Sequence, residues 1–304
     1  MQAPEIPTLN IIGAGHLGRT LAHLWHQRGV FAIGGICNRS VESSAAAREF
    51  IGAGTAVAEL DGMPPADLWL IAVPDDQIAS TAQKLAPHLP ADREVLVFHC
   101  SGALPASALA CCTHATVASA HPVHSFADPQ RSLEGLPGAT VALEGDIGGI
   151  QRLEDAFRAL DCRCISLSPE QKVLYHAGSV MACNYLTVLL DLSLQTFAAA
   201  GIDGATAKQL LTPIVLQTAN NNFALGPDRA LTGPLVRGDV DTVTRQLRAL
   251  EKLAQTKPDT AALAETYRIL AKAALPLAKR AGLSDTARRR MSDLLTANPD
   301  DKVS

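Results

Sequence analysis

The chain has 304 residues, which is long for a single hydrophobic core, so we expect two domains. Apolar residues make up 47% and charged residues 18%, a balance typical of a folded globular protein rather than a disordered one. The net charge of -4 argues against a nucleic-acid-binding surface. None of the seven cysteines forms a Cys-x-x-Cys pair and no export signal is evident, so we expect a protein of the reducing cytoplasm.

The strongest motif in the sequence is Gly13-Ala14-Gly15-His16-Leu17-Gly18. It follows four strand-like residues, 9–12, and opens a helical run that reaches about residue 28. In this setting Gly13 permits a tight turn, Gly15 lets a pyrophosphate approach the backbone, and Gly18 lets the helix pack on the strand. The helix N-terminus offers unpaired N–H groups to the phosphates. We therefore interpret the motif as a dinucleotide-binding turn rather than an ordinary glycine-rich connection.

The second predicted strand covers residues 31–37, and the residues that follow it indicate which dinucleotide binds. Asn38 lies 20 positions after Gly18, where an NAD-preferring fold places an acidic residue for the ribose 2′-hydroxyl. Asn38 lacks the charge that would repel a 2′-phosphate, while Arg39 and Ser40 supply donors for one. This pattern predicts NADP(H), and the alternative is that Arg39 is a solvated surface residue.

Strands and helices then alternate. We expect helices over residues 41–51, 77–85 and 147–160, and strands over 67–73, 95–98, 116–120, 138–143 and 162–167. Such alternation predicts an α/β fold of the Rossmann type, with a doubly wound, mostly parallel sheet. Asp75 or Asp76 is the expected N-cap of the helix over 77–85. Polar segments follow three strands, at 74–76, 99–102 and 121–124, where a nicotinamide ring would lie, so we add Val73, Pro74 and Ser101 to the expected cofactor contacts.

No strand pattern remains after residue 168, and we expect helices over 169–200, 204–225, 239–255 and 258–282. Ser168 can cap the first of them, with Pro169 in its first position. We therefore predict an NADP-binding Rossmann domain over 1–168 and an all-helical substrate and dimerisation domain over 169–304, with a frayed end at 298–304. Two uncharged stretches, 173–190 and 209–227, are long enough for membrane spans, but their polar residues favour core or subunit-interface helices.

Seven stretches together resemble a bacterial family that joins a Rossmann-like NADP-binding domain to a helical C-terminal domain of unknown function: 13–18, 38–40, 72–75, 99–102, 121–126, 175–186 and 231–239. That family is related to pyrroline-5-carboxylate reductase and ketopantoate reductase. The resemblance implies an NADP(H)-dependent oxidoreductase that forms a homodimer through its helical domain, and it implies no substrate. The loop Thr232-Gly233-Pro234 departs from the Ser-Pro-Gly-Gly loop of the pyrroline-5-carboxylate reductases. Val180 stands where the ketopantoate enzymes carry a lysine, four residues before Asn184.

The missing lysine makes His176 our first candidate for the catalytic acid. It precedes Asn184 by eight residues, about two helical turns, so both would share one helix face, with Asn184 orienting the substrate. His121 and Ser101 are second-line catalytic candidates because they follow strands. Each of these polar side chains has the alternative of a hydrogen-bonded structural residue.

A loop rich in glycine and proline, residues 230–239, supplies the weaker substrate candidates Thr232, Gly233 and Arg237. We expect Asp239 to cap the helix that follows, or to pair with Arg237. The histidines and cysteines crowded into residues 99–124 lack a structural zinc spacing, so we predict no metal.

The sequence therefore favours a reductase, or the reverse dehydrogenase, that acts on a small carbonyl or imine. The first alternative is an NADP(H)-binding sensor or scaffold without turnover. A methyltransferase on a Rossmann-like fold is the second alternative, and it leaves Arg39 without a purpose.

Overall fold

The structure is a computed structural model in which residues 5–297 are described. The predicted fraying at 298–304 lies outside the described residues. The chain divides into two compact units, the first ending at Tyr185 and the second beginning at Leu186. The predicted boundary at residue 168 precedes a helix, Pro169–Ala182, that belongs to the first unit.

The first unit is built on one eight-stranded sheet. Its strands are β1 Thr8–Ile12, β2 Ala32–Cys37, β3 Thr55–Val57, β4 Leu68–Ile71, β5 Val95–His99, β6 Ala115–Pro122, β7 Thr140–Gly145 and β8 Arg163–Ser166. The spatial order is β3-β2-β1-β4-β5-β6-β7-β8, and every neighbouring pair is parallel except β6 with β7. The predicted doubly wound, mostly parallel sheet is confirmed.

Six helices accompany the sheet: α1 His16–Gln27, α2 Val41–Ile51, α3 Asp75–Leu85, α4 Pro129–Gly135, α5 Ile147–Arg158 and α6 Pro169–Ala182. The expectation that Asp75 or Asp76 caps α3 is wrong, because Pro74 occupies that position. The two aspartates lie in the first turn instead, where a negative charge still favours the helix dipole. β3 and α4 have no counterpart among the predicted elements.

The central parallel strands β4 and β5 are buried on both faces, which explains their continuous apolar sequences. On β4, Leu68 and Leu70 join one cluster together with Trp25 of α1. Trp69 and Ile71 join the cluster on the opposite face. The two clusters fix the sheet as the rigid platform from which the polar connections leave its carboxyl edge.

The second unit is helical. After α6, α7 Asn184–Ala199 begins a new helix beyond Cys183, followed by α8 Gly204–Leu225, α9 Pro227–Ala230, α10 Pro234–Arg237, α11 Val240–Thr256, α12 Ala261–Arg280 and α13 Asp285–Thr296. The predicted single helix over 169–200 is therefore interrupted, whereas the bounds predicted for α8 are confirmed. A small core joins α11, α12 and α13 around Val243, Ala271 and Met291.

Two helices of this unit keep most of their apolar side chains exposed. Ala207 is the one buried residue of α8, and α7 has none among its described residues. On α8, Leu216 is 61% and Phe223 is 91% exposed. In the single chain, stretches 173–190 and 209–227 therefore do not form buried core helices. The remaining expectation is that they form a subunit interface.

The helical stretch Pro169–Ala199 is long and apolar enough to cross a membrane by length and composition alone. Its first half, however, carries Lys172, which is 2% exposed and bonds polar groups of the sheet. A lysine held in this way ties α6 to the first unit, which argues against a membrane span.

Candidate functional site

The glycine turn between β1 and α1 has the geometry that its sequence predicts. Gly13 has φ +88°, and a Cβ there would lie 2.7 Å from Val73 Cγ1. A Cβ on Gly18 would lie 2.8 Å from the Gly13 carbonyl oxygen, whereas one on Gly15 would meet open space. Gly13 and Gly18 therefore allow strand and helix to pack closely, and Gly15 leaves room beside the backbone for a ligand.

The N-terminus of α1 lacks the groups that usually satisfy a helix start. Its N-cap is Gly15, no side chain caps it, and no acidic residue lies in its first turn. By contrast, Ser40 caps α2 and Asp128 caps α4 through their side chains. Free N–H groups and a partial positive charge beside open space form an anion site of the kind that a pyrophosphate occupies. The residues present therefore fit a dinucleotide.

Asn38 has a role that its position after β2 did not indicate. Its Oδ1 accepts a hydrogen bond from the Ala14 N–H at 2.6 Å, and its Nδ2 donates to the Ser43 carbonyl oxygen at 2.9 Å. The amide therefore connects the glycine turn to α2. Arg39 is exposed and makes no ion pair with any of the residues described. Hydrogen bonds from the backbone N–H of Glu42 and then from Ser40 lower the pKa of Glu42, so a carboxylate lies near this position as well.

His16 of the glycine motif contacts the loop that follows β6. Its Nδ1 lies 2.9 Å from the Phe126 carbonyl oxygen. Leu17 packs partly buried against the main apolar cluster. The motif thus comprises a turn, open space beside Gly15, and the side chains of His16 and Leu17, which contact the surrounding structure.

The carboxyl edge of the sheet brings together the connections that follow β4 and β5. Ser101 Oγ donates to Asp75 Oδ2 at 2.7 Å and accepts from the Leu104 N–H at 2.9 Å. The hydroxyl proton of Ser101 is therefore committed to Asp75. In this arrangement the serine organises the loop rather than offering a free donor. Pro74, also predicted to contact the cofactor, is the exposed N-cap of α3.

His99 at the end of β5 is fully buried. Its Nδ1 accepts from the Ser101 N–H at 3.1 Å, so its Nε2 carries the proton and donates to the Pro105 carbonyl oxygen at 3.1 Å. Burial lowers the pKa of His99 to about 4, which keeps the ring neutral near pH 7. The neutral ring holds the loop between Ser101 and Pro105 in place.

Lys172 of α6 is a site residue that the sequence reasoning missed. Its Nζ donates to the Ser101 carbonyl oxygen at 3.1 Å and to Ser119 Oγ, and it lies 3.9 Å from Glu144 Oε2. Burial lowers the pKa of Lys172, and the carboxylate of Glu144 opposes that shift. Glu144 also accepts from the Ala106 N–H at 2.7 Å. The buried pair therefore joins α6 to three neighbouring strands or their loops.

Matched periodicities explain how α6 meets the sheet. Ser119 and His121 lie two residues apart on β6, so they face the same side. Lys172 and Tyr175, three residues apart on one helix face, reach Ser119 and His121 respectively. His121 Nδ1 lies 2.9 Å from Tyr175 Oη. Burial lowers the pKa of His121 to about 4 and raises the pKa of Tyr175 to about 12, so both are neutral near pH 7.

His176 lies beside His121, with ring centroids 5.3 Å apart and planes nearly perpendicular. Its Nδ1 is buried and has no hydrogen-bond partner among residues 5–297. A Cβ on Gly102 would lie 2.2 Å from His176 Nδ1 and 2.9 Å from His121 Nε2. Two of the four predicted catalytic side chains therefore converge on one glycine, next to the backbone of a third, Ser101.

Asn184 does not share a continuous helix with His176, because α6 ends at Ala182 and Asn184 starts α7. It is exposed. The prediction that His176 and Asn184 share one face of a single helix is therefore wrong. His124, in another of the polar segments, packs against the ring of Phe126 and against Gly135.

The weaker substrate candidates lie in the second unit. Gly233 has φ +98° and precedes α10, which ends at Arg237. Asp239 accepts from the Thr242 N–H and caps α11, as predicted. Thr232 lines a largely apolar cavity of about 730 Å³ between the helices of this unit. Among the described residues, no group of three or more histidine, cysteine or acidic side chains is arranged to hold a metal.

A mostly parallel sheet with a glycine turn before its first helix defines a dinucleotide-binding type of fold. Two family models match the chain, a Rossmann-like domain over residues 2–123 and DUF2520, a domain of unknown function, over residues 139–274. The two matches together confirm the predicted resemblance to proteins that join a Rossmann-like domain to a C-terminal domain of unknown function. No curated protein matches the chain by sequence.

Several solved structures share this fold. A candidate NADP oxidoreductase from Bacteroides fragilis is 21% identical, with a TM-score of 0.73 over 88% of this chain and 97% of that one. A Thermotoga maritima protein is 25% identical, with a TM-score of 0.62 over 87% and 98%. A pyrroline carboxylate reductase from Plasmodium falciparum with NADP bound is 14% identical, with a TM-score of 0.55 over 89% and 99%. At these identities the comparisons establish the fold.

Proposed function

We propose that the protein is an NADP(H)-dependent oxidoreductase that transfers hydride between the nicotinamide and a small carbonyl or imine. The observation that carries this proposal is the uncapped N-terminus of α1 beside the open space at Gly15. The fold relatives from Bacteroides fragilis and Plasmodium falciparum, one named for NADP and one with NADP bound, support the same cofactor.

The 2′-phosphate is the feature that separates NADP(H) from NAD(H). Asn38 leaves the end of β2 without an acidic side chain, and the exposed guanidinium of Arg39 is free to pair with a phosphate. Ser40 is occupied as the cap of α2, which weakens its case as a donor. We assign recognition of the 2′-phosphate to Arg39.

The bound cofactor would supply a hydride at the carboxyl edge of the sheet, next to Ser101 and Gly102. Reduction of a carbonyl also requires one proton at the oxygen. His176 is the proposed proton donor, and its Nε2 is the atom left for this step because Nδ1 is packed against Gly102. His121 lies beside it as a second polar group for the substrate. Asn184 and the loop that contains Thr232, Gly233 and Arg237 remain proposed substrate contacts.

We also propose that the protein is a cytoplasmic homodimer formed through its helical unit. Exposed apolar side chains on α7 and α8 support this proposal, since monomeric proteins rarely leave such surfaces in water. A second copy of the chain is the partner that the resemblance implies.

Steady-state oxidation of NADPH tests the function. The full-length protein is incubated with NADPH and a panel of keto acids, cyclic imines and aldehydes, and absorbance of the reduced nicotinamide is followed. The proposal requires turnover of at least one compound. Tight binding of NADPH with no turnover on any of them would favour a cofactor sensor or scaffold, and stabilisation by S-adenosylmethionine but not NADPH would favour a methyltransferase.

A further inference from the structure

The hydrogen bond between His121 and Tyr175 fixes which nitrogen of the imidazole carries its proton. A neutral imidazole has one N–H donor and one acceptor nitrogen. The acceptor nitrogen is a much stronger base than a phenol oxygen, and a phenol is a much stronger acid than an imidazole N–H. The favourable bond is therefore Tyr175 Oη–H donating to His121 Nδ1, a contact of 2.9 Å.

This bond places the proton of His121 on Nε2. No described residue bonds Nε2, although the atom lies 2.9 Å from the position of a Cβ on Gly102. Gly102 follows Ser101 at the carboxyl edge of the sheet, where hydride transfer is proposed. An N–H donor without a protein partner at this edge is available to a substrate atom.

The charges around His121 indicate which atom that is. The groups that face the ring are His176, Lys172, Asp75 and Tyr175. Lys172 is cationic and buried, while the Asp75 carboxylate already accepts from Ser101. Neutral donors beside a buried cation stabilise an oxygen that becomes negative. The same surroundings would repel an iminium, whose positive charge needs a carboxylate that is not already bonded.

We propose that Tyr175 is a positioning residue that holds His121 in its Nε2–H form, so that His121 donates a hydrogen bond to the oxygen of a ketone or aldehyde substrate. This inference rests on the proposed function and narrows its substrate class from carbonyl or imine to carbonyl. In the reduction, hydride forms a C–H bond at the carbonyl carbon, the π electrons move to the oxygen, and the oxygen takes the Nε2 proton of protonated His176, which becomes a neutral imidazole and regains a proton from solvent. The proton of His121 stays on Nε2.

Nuclear magnetic resonance of the full-length protein labelled with ¹⁵N-histidine, recorded with and without NADP⁺, tests the tautomer without turnover. The His121 signals are assigned by their loss in His121→Gln. We expect a neutral ring with the proton on Nε2 at pH 7.5, and a mixture of tautomers in Tyr175→Phe. Tyr267→Phe, which removes the hydroxyl bonded to Gln246, is the matched control and should leave the His121 signals unchanged. A proton on Nδ1 in the parent protein would overturn the proposal.

Kinetics test the substrate class. Within the panel, ketones or aldehydes should be reduced and cyclic imines should not. On the best substrate, Tyr175→Phe should lower kcat about tenfold and His121→Ala about a hundredfold, with the KM for NADPH unchanged. His121→Gln keeps an N–H donor and should recover part of the loss. Preferential reduction of imines, or equal kcat for Tyr175→Phe and the parent, would overturn the proposal. Failure to bind NADPH would instead refute the proposed function, and the resonance measurement would still decide the tautomer.

Discussion

Lys172 and Glu144 form a buried ion pair, with Nζ 3.9 Å from Oε2 and side-chain exposures of 2% and 7%. Ser119 and Glu144 are direct cross-strand neighbours on β6 and β7, so the pair depends on the antiparallel register at that point. Charges buried in this way cost desolvation energy that their attraction barely offsets. The pair therefore organises the carboxyl edge of the sheet more than it stabilises the fold.

Removing one partner of this pair should be far more costly than removing both. Lys172→Met leaves Glu144 buried without its cation, and we expect a loss of about 3 to 5 kcal/mol in the free energy of unfolding. Lys172→Met combined with Glu144→Gln should recover at least about 1 kcal/mol, because the uncompensated charge is gone while Gln still accepts from Ala106. Urea denaturation of the full double-mutant cycle measures this coupling.

The exposed pair of Lys279 and Asp285, 3.3 Å apart, supplies the control. Lys279→Met should change stability by about 1 kcal/mol or less, since solvent screens that interaction. Equal losses for Lys172→Met and Lys279→Met would contradict the account of the buried pair.

His99 should make the protein less stable in acid. Its pKa is about 4 in the folded protein and about 6.5 when unfolded, so between these values the unfolded chain binds more protons. The contribution of His99 to the free energy of unfolding is fully present above about pH 6.5 and is lost as the pH drops towards 4. Between pH 7.5 and pH 5, we expect His99 to lower the free energy of unfolding by about 2 kcal/mol.

Unfolding free energies of the parent and His99→Gln at pH 7.5, 6 and 5 test this linkage. The variant should be less stable at pH 7.5, and its stability should fall less steeply towards pH 5. Parallel pH profiles for the two proteins would show that His99 is not held neutral in the folded state.

His176→Ala should abolish most turnover while leaving cofactor binding intact. Loss of a positioned proton donor costs about 10² to 10⁴-fold in rate. NADPH oxidation with the best substrate and the Kd for NADPH are measured for this variant and for His114→Ala, which alters an exposed histidine. Undiminished kcat in His176→Ala would remove His176 as the acid.

Dimerisation should depend on the exposed apolar helices of the second unit. Ile214 on α8 is 59% exposed in the single chain, and a buried Asp at a dimer interface would carry an unpaired charge. We expect Ile214→Asp to shift the protein from dimer to monomer in light scattering coupled to size exclusion. Ile147→Asp changes an isoleucine that is 75% exposed in the first unit and should leave the mass unchanged. A monomeric parent protein would refute the homodimer.

Local sequence patterns predicted most of the fold, because strands buried on both faces have continuous apolar runs and helices such as α8 have clear caps. They failed where tertiary contacts decide. The three-residue strand β3 and the short helices α4, α9 and α10 are too brief for a periodic signal, and α13 was also missed. The single helix expected over 169–200 breaks at Cys183, where no glycine or proline marks the interruption.

The candidate site was predicted only in part, because some of its residues are placed by local pattern and others by tertiary contacts. Placement after parallel strands brought Asp75 and Ser101 to one edge of the sheet, whereas His121 lies within β6, which runs two residues beyond the predicted end at 120. The resemblance pointed to position 180 for a catalytic lysine, and Lys172 was missed because lysines in helices are mostly exposed. Its burial depends on Ser119 and Glu144, which are far away in sequence. The spacing of Lys172, Tyr175 and His176 on one face of α6 is the signal that could have identified it.

The central claim is that a dinucleotide with a 2′-phosphate binds at the glycine turn, with Arg39 recognising that phosphate. Isothermal titration calorimetry of the full-length protein with NADPH and NADH tests it most directly. We predict that NADPH binds more tightly than NADH. Arg39→Ala should weaken NADPH binding about ten- to a hundredfold, the equivalent of about 1.4 to 2.7 kcal/mol. Arg48→Ala, which alters an exposed arginine in the last turn of α2, is the control and should have no effect. Absence of binding heat with both dinucleotides would contradict the account.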